Sequence, residues 1–244
     1  MKSLLAGIAF LTRLPVGRLI SFDAADVSRS AGWFPLIGAL MGMAYGAAAW
    51  LLREHLPLAM VAILMVALEA VLTGALHLDG LADAADGFGG GKDRDDVLRI
   101  MRDHAIGSYG ATALILLVAL KVAAYAVLLS STNWFWVFFL TPALGRWALV
   151  LLTGTLPYAR SSPSVVGGMK RLATIWGTVI VAVLIAATRY PRAWAAAAAV
   201  LAVTFCFGFY SHRRIGGITG DVLGANLQLS ESAALIAFLW AGHP

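Results

Sequence analysis

Ile106–Leu129 reads IGSYGATALILLVALKVAAYAVLL, with Lys121 as its one charged residue. As a helix this run is about 36 Å long, enough to cross a hydrocarbon layer of about 30 Å. No strand-like alternation interrupts it. A backbone in lipid must also bond within its own segment, so a helix is expected. Further apolar runs lie at Trp33–Leu52, Leu56–Leu78, Trp134–Gly154, Leu172–Thr188 and Ala193–Tyr210, with a short last one at Glu231–Trp240. The expected fold is therefore all-α: a polytopic membrane protein of about six to seven transmembrane helices. The run Leu4–Leu11 is too short to span, and no convincing cleavage site follows it. It is read as an interfacial or re-entrant N-terminal segment rather than a signal peptide.

Composition agrees. Of 244 residues, 60% are hydrophobic and only 13% charged, against about 25% charged in soluble domains. So few charges cannot cover a water-soluble surface, and a soluble globular protein is nearly excluded. The single cysteine, Cys206, supports neither a disulfide framework nor a cysteine zinc site. The net charge of +5 would suggest nucleic acid in a soluble chain. Here the basic residues are sorted by side. Thirteen of the eighteen lie in the N-terminal segment and in the loops around Asp79–Ala105, Arg160–Arg171 and Arg213–Arg214. Three (Arg53, Arg189 and Arg192) lie opposite, and two (Lys121 and Arg146) lie within spans. By the positive-inside rule the N-terminus and the long loops are cytoplasmic, and no nucleic-acid partner is implied.

The acidic residues are concentrated too: seven of thirteen fall between Asp79 and Asp103. Asp79, Asp83 and Asp86 stand at i, i+4 and i+7, which places them on one helical face. Like charges at such spacings destabilise a helix by about 0.2–0.5 kcal/mol per pair. A hard divalent cation reverses that penalty. Magnesium takes oxygen ligands, typically one or two carboxylates plus substrate phosphates. The ordinary alternative is a solvated acidic loop. Asp93, Asp95 and Asp96 read as a solvated helix start, with Asp93 as N-cap. Gly87–Gly91 lacks the Lys-Ser/Thr of a P-loop and reads as a flexible turn. Arg99 and Arg102 serve either as phosphate contacts or as cytoplasmic topology charges.

Glu69 is an acid inside the second span, which marks it as functional by default. On one continuous helix it lies within about 40° of Asp83 and about 21 Å below it. It is either the deep part of one polar cavity or a buried partner of Lys121 or Arg146. His77 is a base, a ligand or a structural partner. The segment Gly216–Asn226 reads as an ordinary loop or as a close-approach site in which Asp221 completes a metal shell. Tyr158-Ala159-Arg160, Lys170 and Arg171 share its side.

Together these residues resemble cobalamin synthase, the adenosylcobinamide-GDP ribazoletransferase family. The resemblance runs over Phe10–Pro15, Gly32–Gly38, Thr73–Gly87, Ile100–Gly110, Arg146, Tyr158–Arg160 and Gly217–Asp221. The run His77-Leu-Asp-Gly with its following aspartates is the most specific part. The resemblance implies one transmembrane catalytic domain over 1–244 in the bacterial inner membrane. Adenosylcobinamide-GDP and α-ribazole, or its 5′-phosphate, would give adenosylcobalamin, or its 5′-phosphate, and GMP, with Mg2+ required. Asp79, Asp83 and Asp86 are then expected to hold magnesium, assisted by Asp103 or Asp221. One carboxylate or His77 is expected to act as base. Arg13, Arg99, Arg102, Arg160 and Lys170 are expected to grip phosphates, with Glu69 and Arg146 deeper in the same cavity. A homo-oligomer, or association with other B12 assembly enzymes, is compatible with this reading.

Two positions depart from the family pattern. His104 stands where a small residue is expected, and Ser161-Ser-Pro-Ser lacks a glycine expected after Arg160. A CDP-alcohol phosphatidyltransferase is the nearest rival, but Asp83 and Ala84 occupy the places of its Ala-Arg pair. A transporter would need polar residues at mid-depth in several spans, whereas the charges here cluster at one end.

Overall fold

The structure is a computed structural model that describes residues 2–18, 20–160 and 171–240. Eleven α-helices are seen among them: α1 (Lys2–Leu11), α2 (Ala24–Ser30), α3 (Phe34–Leu52), α4 (Leu58–Thr73), α5 (Leu76–Gly90), α6 (Arg94–Ile100), α7 (Ser108–Leu128), α8 (Trp134–Thr155), α9 (Arg171–Thr188), α10 (Arg192–Ile215) and α11 (Gly220–Trp240). No strand occurs among the described residues, only an isolated parallel bridge between Tyr158 and Ile218.

Six segments are long and apolar enough to cross a membrane: Ala24–Leu52, α7, α8, α9, α10 and α11. The pair α4 and α5 forms a seventh only as a broken unit, bent by 91°. The chain is thus an all-α, multi-pass membrane protein. α1 packs on α2 and is tied to it by a 2.7 Å ion pair between Lys2 and Asp26. Asp23 and Asp26 form a reciprocal capping box that starts α2.

α8 and α11 form the interior of the bundle, whereas α7 and α9 turn most of their surface outward. α3 lies against α8 through Gly38 and Gly42, whose missing side chains let the Pro142 and Phe138 carbonyls approach. Small residues at four-residue spacing allow this close backbone packing. It matters in lipid, where no hydrophobic force drives helices together.

Two expectations are corrected. The second span is not one helix. Gly74 (φ 63°) and Ala75 (φ 57°) both take the left-handed conformation and break it. The angle and the 21 Å separation drawn between Glu69 and Asp83 on one continuous helix therefore do not apply. The last span is not short, and Gly220–Asn226 is not a loop: α11 runs 21 residues from Gly220. Its Asn226, Gln228, Ser230 and Glu231 are buried against neighbouring helices, not lipid. Hydropathy alone therefore hid its first half.

Candidate active site

The break between α4 and α5 organises one polar region. Glycine adopts a left-handed conformation freely, but a residue with a Cβ does so at a cost of about 1 kcal/mol or more. Ala75 therefore carries strain at this turn. The Arg13 backbone N–H donates to the Leu72 carbonyl at 2.7 Å. Its side chain lies across Gly74, where a Cβ would collide with the guanidine Nε. Arg13 is thereby fixed beside the break.

Beyond it, α5 crosses the start of α11 at Gly80. A Cβ there would lie 3.1–3.3 Å from Asp221 and Gly224 backbone atoms. The contact sets Asp221 against the aspartates of α5. Asp79 is exposed, and Asp83 and Asp221 are half-buried. The like charges bearing on Asp83 come, largest first, from Asp79, Asp221 and Asp86, opposed by Arg160. Asp79 acts on Asp221 as well. Arg160 Nη2 donates to Asp221 Oδ2 at 2.8 Å, and Thr219 Oγ1 donates to the same oxygen at 3.2 Å. Arg160 is delivered by the bridge that links the end of α8 to the start of α11: Ala159 N–H donates to Ile218 O at 2.8 Å, and Ile218 N–H to Pro157 O at 2.9 Å.

Asp86 has other partners. Its Oδ2 accepts from Gly107 N–H at 2.7 Å and its Oδ1 from Gly110 N–H at 2.9 Å. It caps the start of α7. It shares a helical face with Asp79, but about 10 Å further along the axis that face meets α7. Asp221 thus joins the charges around Asp83, while Asp86, which also bears on Asp83, has both its oxygens engaged by the start of α7. His77 is buried, with Nδ1 lacking a hydrogen-bond partner.

The remaining expected residues are more dispersed. Asp103 is exposed and accepts from Ala105 N–H at 3.1 Å. Arg99 pairs with Asp96 at 2.5 Å, and this hydrogen bond holds the Asp96 carboxyl below its usual range. Arg102 is exposed. Lys170 lies outside the described residues. Glu69 and Arg146 do not open to this region; both are buried in a separate ion cluster. Gly87–Gly90 is the last turn of α5 rather than a flexible turn. Asp93 caps α6 as expected, accepting from Asp96 N–H.

Sequence reading missed three residues. Arg94 looked solvated, yet it donates to Ala159 O at 2.7 Å and Ile215 O at 3.1 Å, tying α6 to both connections. Glu231 stood only as the edge of a short last span, and Gln228 lay outside it. An acid within an apolar run, the feature that singled out Glu69, applied equally to Glu231.

Among the described residues, no group of three or more His, Cys, Asp or Glu side chains is arranged to hold a metal ion by itself. The facing set is instead all-oxygen, open and short of positive charge. Such a set suits magnesium, whose remaining positions are filled by water and phosphate.

The fold and this region define a multi-pass helical membrane protein with a carboxylate-rich polar region where α5 meets the start of α11. The family model for Cobalamin-5-phosphate synthase matches residues 3–239, and the chain belongs to that family. It is 40% identical to the adenosylcobinamide-GDP ribazoletransferase of Sinorhizobium medicae (strain WSM419), over 96% of this chain and 94% of that one. It is 38% identical to the protein of that name from Chlorobaculum tepidum, over 98% and 96%. The corresponding protein of Ralstonia nicotianae is 36% identical, over 98% and 95%. No solved structure matches the chain.

Proposed function

We propose that the chain is an adenosylcobinamide-GDP ribazoletransferase, joining adenosylcobinamide-GDP to α-ribazole or its 5′-phosphate with release of GMP. The observation that carries the site assignment is the convergence of Asp79 and Asp83 on α5 with Asp221 on α11, beside Arg160.

The reaction is phosphoryl transfer to an alcohol. A ribose hydroxyl attacks the phosphorus attached to cobinamide, the bond to the departing GMP breaks, and the hydroxyl proton passes to a base. Such chemistry depends on positioning and charge neutralisation more than on covalent catalysis. Asp79, Asp83 and Asp221 would hold magnesium, which when bound neutralises diphosphate charge. Arg13, beside the α4–α5 break, and Arg160, beside Asp221, would orient phosphates, with Arg102 and Lys170 as further candidates. A carboxylate of the cluster, or His77, takes the proton. Asp86 serves the site indirectly by fixing α7 to α5. The excess of basic residues in the N-terminal segment and long loops supports a cytoplasmic face for this region, and the family resemblance supports the bacterial inner membrane.

The test is release of GMP from adenosylcobinamide-GDP by purified protein with α-ribazole and magnesium, with and without EDTA. Activity abolished by EDTA and restored by magnesium supports the reading. Full activity in EDTA removes the metal, and no GMP release removes the reaction.

A further inference from the structure

Five polar side chains are left unused by this chemistry, and they meet inside the bundle. Lys121 Nζ on α7 donates to both carboxylate oxygens of Glu69 on α4 at 2.7 and 2.9 Å. It also reaches Gln228 Oε1 at 2.8 Å and Glu231 Oε2 at 2.7 Å, both on α11. Arg146 Nη1 on α8 donates to the other oxygen of Glu231. Gln228 Nε2 donates to Glu69 Oε1 at 3.2 Å. The four charged side chains are at most 8% exposed. Two acids balance two bases.

Such a cluster is a poor way to gain stability, since apolar side chains of similar volume often hold a fold as well or better. Its placement is more telling. α11 carries both Asp221 and two cluster residues, and α4, α7 and α8, which carry the other three, each adjoin a segment that reaches the acidic region. On α4, Thr73 Oγ1 donates to the Glu69 carbonyl at 2.9 Å, and the next residue, Gly74, turns the chain toward Asp79 and Asp83. α7 carries Lys121 and starts at the turn held by Asp86. α8 carries Arg146 and leads to Arg160. α11 carries Gln228 and Glu231, with Asp221 in its first turn. Apolar helix faces in lipid resist sliding weakly. A slip of one turn, about 5.4 Å, would leave a buried charge unpaired.

We propose that Glu69, Lys121, Arg146, Gln228 and Glu231 form a register lock. They are positioning residues that set the heights of α4, α7, α8 and α11 so that Asp79, Asp83 and Asp221 face one another. They touch no substrate. The proposal rests on the reading of those aspartates as the reaction centre.

The test compares full-length wild type, K121M, K121M/E69Q and Q228L in lipid nanodiscs. The readouts are Tm, GMP-release kinetics, and Mn2+ binding without substrates, followed by electron paramagnetic resonance. K121M leaves acids in excess and lowers Tm. K121M/E69Q restores charge balance, so Tm returns to within a few degrees of wild type. Its kcat nonetheless stays at least tenfold low, KM for adenosylcobinamide-GDP changes less than threefold, and Mn2+ binds several-fold more weakly. A purely structural role predicts that activity and Mn2+ affinity recover together with Tm, and that result overturns the lock. Should K121M/E69Q not fold, Q228L decides: a two- to fivefold fall in kcat at unchanged Tm supports the proposal, and wild-type kcat overturns it. H55Q, on an exposed side chain in the connection between α3 and α4, is the control and leaves every readout unchanged. Failure of the underlying reading shows separately, as wild type that binds no Mn2+ or D83N that binds it undiminished.

Discussion

The chain holds two polar regions, one open and one closed, and they differ in charge balance. In the closed one, Glu69 and Glu231 meet Lys121 and Arg146 at hydrogen-bonding distance, and almost nothing is exposed. In the open one, Asp79, Asp83 and Asp221 face each other with Arg160 as the cation in direct contact. Buried charge must be neutralised internally, or the fold is lost. Unbalanced charge at an accessible surface can wait for a ligand. The deficit of positive charge therefore marks the reactive region better than the mere presence of ionisable residues. The closed cluster also answers the transporter alternative. Polar residues do occur at mid-depth in several helices, contrary to the sequence expectation, but they are closed on one another rather than lining a path.

The largest expected break in this comparison is Asp83→Asn. It should lower turnover by about a hundredfold or more, the scale of losing a key electrostatic contact, with membrane insertion unchanged. GMP release and the inserted amount check it, and near-normal turnover would sink the metal assignment. Next, Glu231→Ala strands Arg146, leaves Lys121 with Glu69 as its acid partner, and should cost about 3–5 kcal/mol. Unfolding in detergent measures it, and an unchanged midpoint would mean the cluster is not closed. Arg160→Ala, in the open region, should raise KM for adenosylcobinamide-GDP about tenfold, since one charge-assisted contact is worth about 1.5–3 kcal/mol, with Tm nearly constant. Asp86→Ala tests the cap: stability should fall by about 1 kcal/mol, while the magnesium concentration for half-maximal activity stays put. A rise in that concentration would return Asp86 to the metal site. The smallest effect is expected of Arg99→Ala. It frees the Asp96 carboxyl to titrate at its ordinary, higher value, visible by NMR, with no measurable change in Tm.

Much of the fold could be read from local pattern. The span at Ile106–Leu129 and those at Trp134–Gly154 and Leu172–Thr188 fall close to α7, α8 and α9, because a helix that faces lipid (α7, α9) or a largely apolar interior (α8) is apolar along most of its length. α11 escaped this reading because its polar residues face protein, and a hydropathy window cannot distinguish the two environments. At the site, the run from His77 to Gly87 pointed to the right helix. Periodicity then grouped Asp86 with Asp79 and Asp83, because it describes a face and not what packs on that face further along.

The sequence by itself determined that the chain is a multi-pass helical membrane protein, that its carboxylates gather at one end, and which family it resembles. These follow from composition, run length and short-range motif, which are local properties. Only the tertiary structure decided that α4 and α5 part at Gly74, that the start of α11 brings Asp221 to α5 while both Asp86 oxygens bond the start of α7, and that Glu69 and Arg146 belong to a closed cluster. Those outcomes depend on residues 52 to 159 positions apart meeting across helices. No spacing rule within one helix encodes such meetings; packing and pairwise charge neutralisation do.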